Sequence, residues 1–142
     1  MRLILLYVCS CFFLSCGSRS RLEKSSGAGT DYVITGTGLK YKIIQKGTGQ
    51  KAKAGQEVLL LETTSYSDGT VLYSNEKSKI PVKVLIGGNQ ATNAVDEGLR
   101  GMREGEVRQL IAHPGLVKRK AYPSNVSPDS TLIIKIILIK IL

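Results

Sequence analysis

The stretch GLRGMREGEVRQL, residues 98–110, decides the fold of this chain. It is charged and otherwise suited to a helix, yet it carries glycines at positions 98, 101 and 105. Each glycine costs about 1 kcal/mol relative to alanine inside a helix, so a long helix is not expected here. We interpret the glycines as boundaries. Gly98 and Gly101 end a short helix, and Gly105 fits a turn before a strand at 106–112.

The residues just before this stretch predict the helix itself, over 92–99. Three apolar residues recur every four positions, at Ala91, Val95 and Leu99, while the Asp96-Glu97 pair falls on the opposite face. This pattern is typical of an amphipathic helix that covers one face of a sheet. We interpret the acidic pair as solvated surface and not as a catalytic pair.

The rest of the chain after residue 31 predicts strands and tight turns. Alternating apolar and charged residues, or continuous β-branched runs, predict strands at 39–49, 57–65, 70–73, 80–86, 106–112 and 131–142. Asp68-Gly69 between two of these runs indicates a hairpin turn. The last segment, TLIIKIILIKIL, is too short to span a membrane, and its alternative interpretation is a terminal amphipathic helix. The fold class predicted is α+β, with five or six mostly antiparallel strands and one short helix.

The first fifteen residues have the pattern of an export signal. Arg2 precedes an apolar run over 3–14, which ends in small residues at Ser15-Cys16-Gly17 and is too short for a membrane span. The sequence FLSCGS resembles the lipobox of bacterial lipoproteins, which implies that Cys16 is acylated and begins the mature chain. Cys11 is a second candidate, and a buried strand or helix is the alternative interpretation of the whole segment.

Cysteine usage agrees with export and lipidation. The three cysteines are Cys9, Cys11 and Cys16, so a mature chain from Cys16 has one thiol and no internal disulfide. Residues 17–31 contain Leu22 as their only strongly apolar residue and have the composition of a flexible tether. The predicted organisation is a lipoprotein signal peptide at 1–15, a tether at 16–31 and one domain at 32–142.

The formal net charge is +9, and +8 once Arg2 is removed with the leader, since 19 − 11 = 8. A positive net charge of this size is typical of proteins that bind nucleic acid or anionic lipid, and also of proteins with an ordinary soluble surface. Export argues against nucleic acid as a partner. We interpret the lysines scattered over 40–53 mainly as solvated, with weak attraction to an anionic membrane as a secondary role. The basic loop 118–120 fits either an exposed loop or a site for an acidic partner or a phosphate group.

Five landmarks together resemble the FKBP-type peptidyl-prolyl isomerases. They are, in order, GLKYKIIQKGTGQKAKAGQEV, SDGTVLYSN, the GLRGM and EGEVRQL pair, His113-Pro114 and SPDSTLIIKIILIKI. The resemblance covers residues 38–142. It implies an antiparallel sheet of five or six strands wrapped around one short helix, with a proline-binding pocket between them. With its leader, the chain is similar to envelope-anchored FKBP lipoproteins of bacteria, including gliding-motility-associated ones.

The implied chemistry is rotation about an X–Pro bond, whose barrier is about 18–20 kcal/mol. A dry pocket with aromatic walls and a backbone donor suffice for it, so no catalytic nucleophile, cofactor or metal is expected. His113 is the only histidine, and no cysteine lies in the domain to join it as a metal ligand. The two GTG runs have no helix or GK[ST] signature after them, so we interpret them as turns and not as phosphate-binding loops.

The resemblance also implies which residues surround the proline. They are Leu72, Tyr73, Val82, Ala91, Thr92, Val95, Val126 and Ile134. The family's aromatic residues are largely replaced: Val95 stands at the usual tryptophan, Val82 and Ile134 at phenylalanines, and Glu62 at a tyrosine. Lys118 and Arg119 fall in the loop that usually brings another tyrosine. The mature chain has tyrosines but no phenylalanine or tryptophan.

Two outcomes are open for this altered pocket. It is either rebuilt from aliphatic residues, so that it binds proline weakly, or closed into ordinary core. We therefore expect an exported lipoprotein that acts on proline-containing polypeptides in the cell envelope, with weak or lost isomerase activity. Its membrane is expected to be the outer membrane, facing the periplasm, because glycine follows Cys16. The alternative is a non-catalytic peptide-binding or assembly module on the same fold.

Overall fold

The computed structural model describes residues 31–142. The predicted signal peptide at 1–15, the lipidation site Cys16 and all but the last residue of the predicted tether lie outside this range. Within it, no helix combines the length and the apolar character that crossing a membrane requires.

In the described part of the chain, seven strands form one antiparallel sheet beside one short helix. The strands are β1 (Val33–Ile34), β2 (Lys40–Gln45), β3 (Glu57–Ser65), β4 (Val71–Ser74), β5 (Val82–Leu85), β6 (Val107–Ala112) and β7 (Leu132–Ile141). The helix is α1 (Asn93–Leu99), and a single 3-10 turn spans Pro114–Leu116. The predicted fold class is thus confirmed. The sheet has seven strands where five or six were predicted, because two-residue β1 is too short to show an alternating pattern.

The strand order places β7 and β3 in the middle of the sheet. The order is β1-β2-β6-β7-β3-β4, and β5 also pairs with β3. Strand β7 pairs with β6 on one side and β3 on the other. Its buried face carries Leu132, Ile134, Ile136 and Leu138, each no more than 1% exposed. This period of two confirms the predicted strand and excludes the terminal helix.

Helix α1 packs against β6 and β7. Thr92 is its N-cap, and the Thr92 hydroxyl accepts a hydrogen bond from the Val95 N–H at 3.5 Å. The side chains of Val95 and Leu99 are buried in the core, at 2% and 0% exposure. The predicted apolar face is thus the face that meets the sheet, and it sets the helix over β6 and β7.

The prediction that Gly98 ends the helix is wrong. Gly98 lies inside α1, which continues through Leu99 and is capped by Arg100. Its role is close approach: a Cβ at this position would lie 2.5 Å from Leu110 Cδ1 on β6. Gly101 and Gly105 do have positive φ angles, 77° and 78°, and they form the turns predicted between helix and strand.

The edge of β3 opposite β7 is shared by two strands. β4 pairs with residues 63–65 and β5 with residues 57–60. The β3–β4 hairpin turns where predicted, with Gly69 at φ 91° and Asp68 Oδ1 accepting a hydrogen bond from the Thr70 N–H at 2.9 Å. Strands β4 and β5 thus lie end to end along this edge of β3.

Candidate functional site

A cavity of about 920 Å³ opens where β3, β4 and β5 meet the start of α1 and the loop over 118–126. Val95 of the helix and Val82 of β5 both line it, so the space between them is open and not filled core. Val95 is 2% exposed and Val82 is 37% exposed, so these two residues lie at different depths in the cavity. The geometry is that of a pocket with a closed inner end on the helix and an open mouth.

The structure brings seven of the eight predicted proline-binding residues to this cavity. They are Leu72, Tyr73, Val82, Ala91, Thr92, Val95 and Val126. Ile134 is not among the lining residues, and this corrects the prediction that it lies on the wall of the pocket. Its side chain points into the core from the middle of β7, where it is 1% exposed and pairs with Thr64 and Leu110. That the seven contact a proline remains a prediction.

Aliphatic carbon forms most of the apolar lining. Among the described residues that line the cavity, Tyr73 is the only aromatic one, and it is 47% exposed. Leu132 and Val84 add further aliphatic surface. Such a lining can bury a small ring by contact, although it lacks the large rigid faces that aromatic residues provide.

Glu62 places a carboxyl group inside the cavity. It shares the inward face of β3 with Leu60 and Thr64, which are 0% and 2% exposed. Its Oε1 accepts a hydrogen bond from the Thr64 hydroxyl at 2.8 Å. Burial raises the pKa of the Glu62 carboxyl, and the Thr64 hydrogen bond and the positive charge of Arg119 oppose this shift only in part.

The mouth of the cavity is positively charged. Lys118, Arg119 and Lys120 are exposed there, and Lys83 of β5 adds a fourth cation. Lys83 forms a salt bridge with Glu57 at 2.9 Å. The sequence allowed two interpretations of the basic loop 118–120, an exposed loop or a binding site. In the structure this loop lies at the entrance of the cavity. Its charges would favour anionic groups that approach the cavity.

Hydrogen bonds fix the loop that carries Val126. The Tyr66 hydroxyl donates to the Asn125 carbonyl at 3.0 Å and accepts from the Ser127 N–H at 2.8 Å. The Asn125 side-chain amide donates to the Leu72 carbonyl at 3.4 Å. Sequence reasoning did not find this role for Tyr66. Its place just before the Asp68-Gly69 turn gives no signal of contact with residues 59 and 61 positions away.

His113 supports local structure. Its Nδ1 accepts a hydrogen bond from the Gly115 N–H at 3.1 Å, and its Nε2 lies 3.1 Å from the Thr37 carbonyl oxygen. It caps the 3-10 turn that begins the loop toward the cavity. Across residues 31–142, no three histidine, cysteine or acidic side chains are grouped as metal ligands would be.

A sheet that holds one short helix, with an open cavity at the start of that helix, defines an α+β domain with a cavity. The family model described as FKBP-type peptidyl-prolyl cis-trans isomerase matches residues 48–139. The chain therefore belongs to the FKBP-type peptidyl-prolyl cis-trans isomerase family.

Known relatives agree with this membership. The chain is 36% identical over 102 residues to the peptidyl-prolyl cis-trans isomerase Mip of Chlamydia trachomatis, covering 72% of this chain and 40% of that protein. It is 30% identical to an FK506-binding protein of Neisseria meningitidis, covering 73% of this chain and 96% of that protein. The chain thus spans less than half the length of the Mip proteins, but nearly all of the Neisseria protein.

Solved structures agree on the fold. The crystal structure of FkpA from Escherichia coli matches with a TM-score of 0.70 and 23% identity, covering 80% of this chain and 53% of that chain. At this identity the likeness concerns the arrangement of strands and helix alone.

Proposed function

We propose that this chain is a slow FKBP-type peptidyl-prolyl isomerase that assists protein folding in the bacterial cell envelope. The observation that supports it most is the open cavity between Val82 and Val95 in a chain of this family. Its substrates are proline-containing polypeptides. A proline ring enters past Tyr73 and lies against Val82, Val95 and Ala91, where burial of its carbon atoms holds it in place.

The slow turnover follows from the lining. Isomerisation needs the X–Pro amide to lose its planarity, and a water-poor pocket favours the twisted, less polar amide over the planar one. Aromatic walls exclude water and hold the proline ring rigidly. Each contact between two aromatic rings stabilises such a wall by about 0.5–1.5 kcal/mol beyond the effect of its buried area. With Tyr73 as the one aromatic lining residue and Glu62 inside, the cavity is wetter and more polar. The proline therefore binds weakly, and the barrier falls by less than an aromatic pocket achieves.

A second candidate is peptide binding without catalysis. The Glu62 carboxyl and the basic mouth favour it, because they bring polar groups to a cavity that would otherwise suit the proline ring alone. In this case the domain holds a client polypeptide during envelope assembly and leaves the X–Pro bond in its existing isomer.

A protease-coupled assay on proline peptides separates the two candidates. We expect the purified protein to accelerate cis-to-trans conversion measurably above the spontaneous rate. The variant Ala91→Phe should abolish this by filling the cavity. Val71→Phe is its control, because Val71 is 57% exposed and outside the cavity lining. Peptide binding without acceleration would support the second candidate, and absence of both would overturn the two together.

We further propose that Cys16 carries the lipid anchor, which holds the domain on the outer membrane facing the periplasm. The support is the position of Cys16 after a short apolar leader and the absence of any other cysteine beyond it. Stable anchoring requires two or more acyl chains. Cys16→Ser should move the protein from the membrane to the soluble fraction, while Cys11→Ser should leave it in place. Membrane association that survives Cys16→Ser would refute the anchor.

A further inference from the structure

A second cavity, of about 320 Å³, lies between β2, the segment 46–51 and the turn that follows α1. It shares no lining residue with the first cavity. Five of its ten lining residues are cations and one is an acid. The cations are Lys46, Lys51, Arg100, Arg103 and Arg108, and the acid is Glu106. No local sequence pattern indicates this group, because its members are spread from Lys46 to Arg108.

The single acidic residue among the described lining residues of this cavity, Glu106, is already paired within the protein. Glu106 is 3% exposed, and its Oε1 accepts hydrogen bonds from Arg108 Nε at 2.9 Å and Nη2 at 2.6 Å. Its Oε2 accepts from the Arg103 N–H at 3.1 Å. Glu106 therefore balances Arg108 and leaves the charge of the other four cations uncompensated within the lining.

Outside the lining, one more acid reaches this group. Arg100 forms a salt bridge with Asp96 at 2.8 Å. The salt bridges within residues 31–142 involve the cations Lys83, Arg100, Arg108 and Lys135. None of these salt bridges involves Lys46, Lys51 or Arg103. Three cations thus converge on one small depression without an acidic partner from the described chain. An anion bound there would relieve their mutual repulsion.

The walls of this cavity are held in position by contacts within the fold. Arg108 Nη1 donates to the Gly98 carbonyl at 2.9 Å and to the Arg100 carbonyl at 3.2 Å. Its guanidinium carbon lies 4.5 Å from the centre of the Tyr41 ring. Arg103 donates from Nη1 to the Gly49 carbonyl. These bonds order two guanidinium groups before any ligand arrives, which lowers the entropy cost of binding.

The loop that carries the two lysines is also docked on the fold. The Thr48 N–H donates to the Glu104 carbonyl at 2.9 Å. A Cβ at Gly47 would lie 2.5 Å from that same carbonyl oxygen, so only glycine permits this approach. The close contact fixes the backbone between Lys46 and Lys51 beside Arg103. The convergence of charge is therefore built into the backbone and does not depend on a mobile arm.

We infer that this cavity is a binding site for a phosphate group. Guanidinium and ammonium groups that converge from several elements suit a tetrahedral oxyanion, which accepts hydrogen bonds on every side. The volume admits a phosphate with a small organic substituent, and Ile43, at 46% exposure, offers that substituent an apolar contact. A soluble phosphate compound and a phospholipid headgroup share this chemistry. The inference concerns a different site from the proposed proline cavity and does not depend on that function.

Titration of the whole protein with pyrophosphate tests the inference, with thermal stability and calorimetry as readouts. We expect saturable binding that weakens about tenfold or more in the double variant Lys46→Ala/Lys51→Ala, because two charge-assisted contacts are lost. The matched control is Lys118→Ala/Lys120→Ala, which removes the same charge from the mouth of the other cavity. Circular dichroism checks that both double variants fold.

Vesicles distinguish the two sources of phosphate. Sedimentation with phosphatidylglycerol vesicles is compared with phosphatidylcholine vesicles, so that only the excess binding to the anionic lipid is counted. If the excess binding to phosphatidylglycerol is lost in Lys46→Ala/Lys51→Ala and not in the control variant, the site binds a lipid headgroup. If the protein binds pyrophosphate but shows no excess binding to phosphatidylglycerol, the ligand is a soluble phosphate compound. Equal loss in both double variants, or no saturable binding of either probe, would overturn the phosphate site.

Discussion

Gly98 on the helix and Leu110 on β6 are in such close contact that a larger residue at position 98 would force Leu110 to shift. A Cβ there would lie 2.5 Å from Leu110 Cδ1 and 2.9 Å from Cδ2. Leu110 is fully buried, so its side chain has little room to turn away. This contact sets how near the helix comes to the sheet. Val95, on the same helix, lines the cavity.

Gly98→Ala should therefore destabilise the protein, although alanine is the better helix former. The gain in helix propensity is about 1 kcal/mol, whereas overpacking a core costs about 1–3 kcal/mol. Urea denaturation measures the net loss. Gly36→Ala is the control, because a Cβ at Gly36 meets no atom within 4 Å and should leave the midpoint almost unchanged. A Gly98→Ala variant as stable as the parent would contradict the steric role.

The buried ion pair of Arg108 and Glu106 should be far more important for stability than any surface pair. Their side chains are 6% and 4% exposed, and Arg108 also bonds two carbonyls at the end of α1. Arg108→Met would leave Glu106 buried without its cation, at a cost of about 3–5 kcal/mol.

Lys83→Met is the matched control for this substitution. It breaks the salt bridge between Lys83 and Glu57, two side chains that are about half exposed. The loss should lower the free energy of unfolding by about 0–1 kcal/mol. Chemical denaturation of the two variants gives the comparison. Similar losses in both would show that burial does not govern the energetics of the pair.

The fold was largely predictable because local patterns coincide with burial. The period of two in the last strand and the spacing of Val95 and Leu99 mark the two surfaces that meet in the core. Gly98 was misassigned because a glycine required by a neighbour looks, in sequence, like a glycine required by a turn. Of the three glycines at 98, 101 and 105, only Gly101 and Gly105 have the positive φ of a turn residue.

The first cavity was predictable only through the family resemblance, and the second was not predictable at all. Tyr73 and Val95 lie on different elements, and no periodicity relates them. Resemblance placed seven residues around the cavity and failed for Ile134, whose side chain on β7 faces the core. Lys46, Lys51 and Arg103 look like scattered solvated charges until the chain folds, because their convergence depends on long-range pairing.

Glu62 should make stability depend on pH in the direction opposite to most carboxylates. Burial raises its pKa in the folded state above the ordinary value of 4.5, so the folded protein binds this proton more tightly than the unfolded chain. Its contribution is therefore favourable at low pH and is lost as the pH rises from 4.5 through the folded pKa. Glu62→Gln should stabilise the protein near neutral pH more than in acid, as melting temperatures across pH would show.

Glu76 provides the contrast for Glu62. A hydrogen bond from Lys135 and another from Thr63 hold the pKa of the Glu76 carboxyl below its usual value of 4.5. Its contribution is present above 4.5 and is lost as the pH falls through the folded pKa. Glu76→Gln should therefore lower the melting temperature near neutral pH and matter less in acid. Parallel pH profiles for the two variants would refute the assignment of opposite shifts.

Tyr73 should contribute more to the binding of prolyl peptides than any other side chain at the mouth. It is the one aromatic residue of the lining, and about half of its surface is exposed for contact with a ligand. Burying such a ring is worth about 1.5–3 kcal/mol, so Tyr73→Ala should weaken peptide binding roughly tenfold to a hundredfold. Because the ring is exposed in the free protein, its loss should change the melting temperature little.

Val71→Ala is the matched control for Tyr73→Ala. Val71 lies two positions away on β4, is 57% exposed and is outside the cavity lining. Fluorescence anisotropy with a labelled proline peptide should give an unchanged dissociation constant for Val71→Ala. Equal weakening in both variants would indicate that the peptide lies across the outer face of β4. An unchanged constant for Tyr73→Ala would mean that the peptide does not enter past this residue, and the proline would then have to lie elsewhere on the domain.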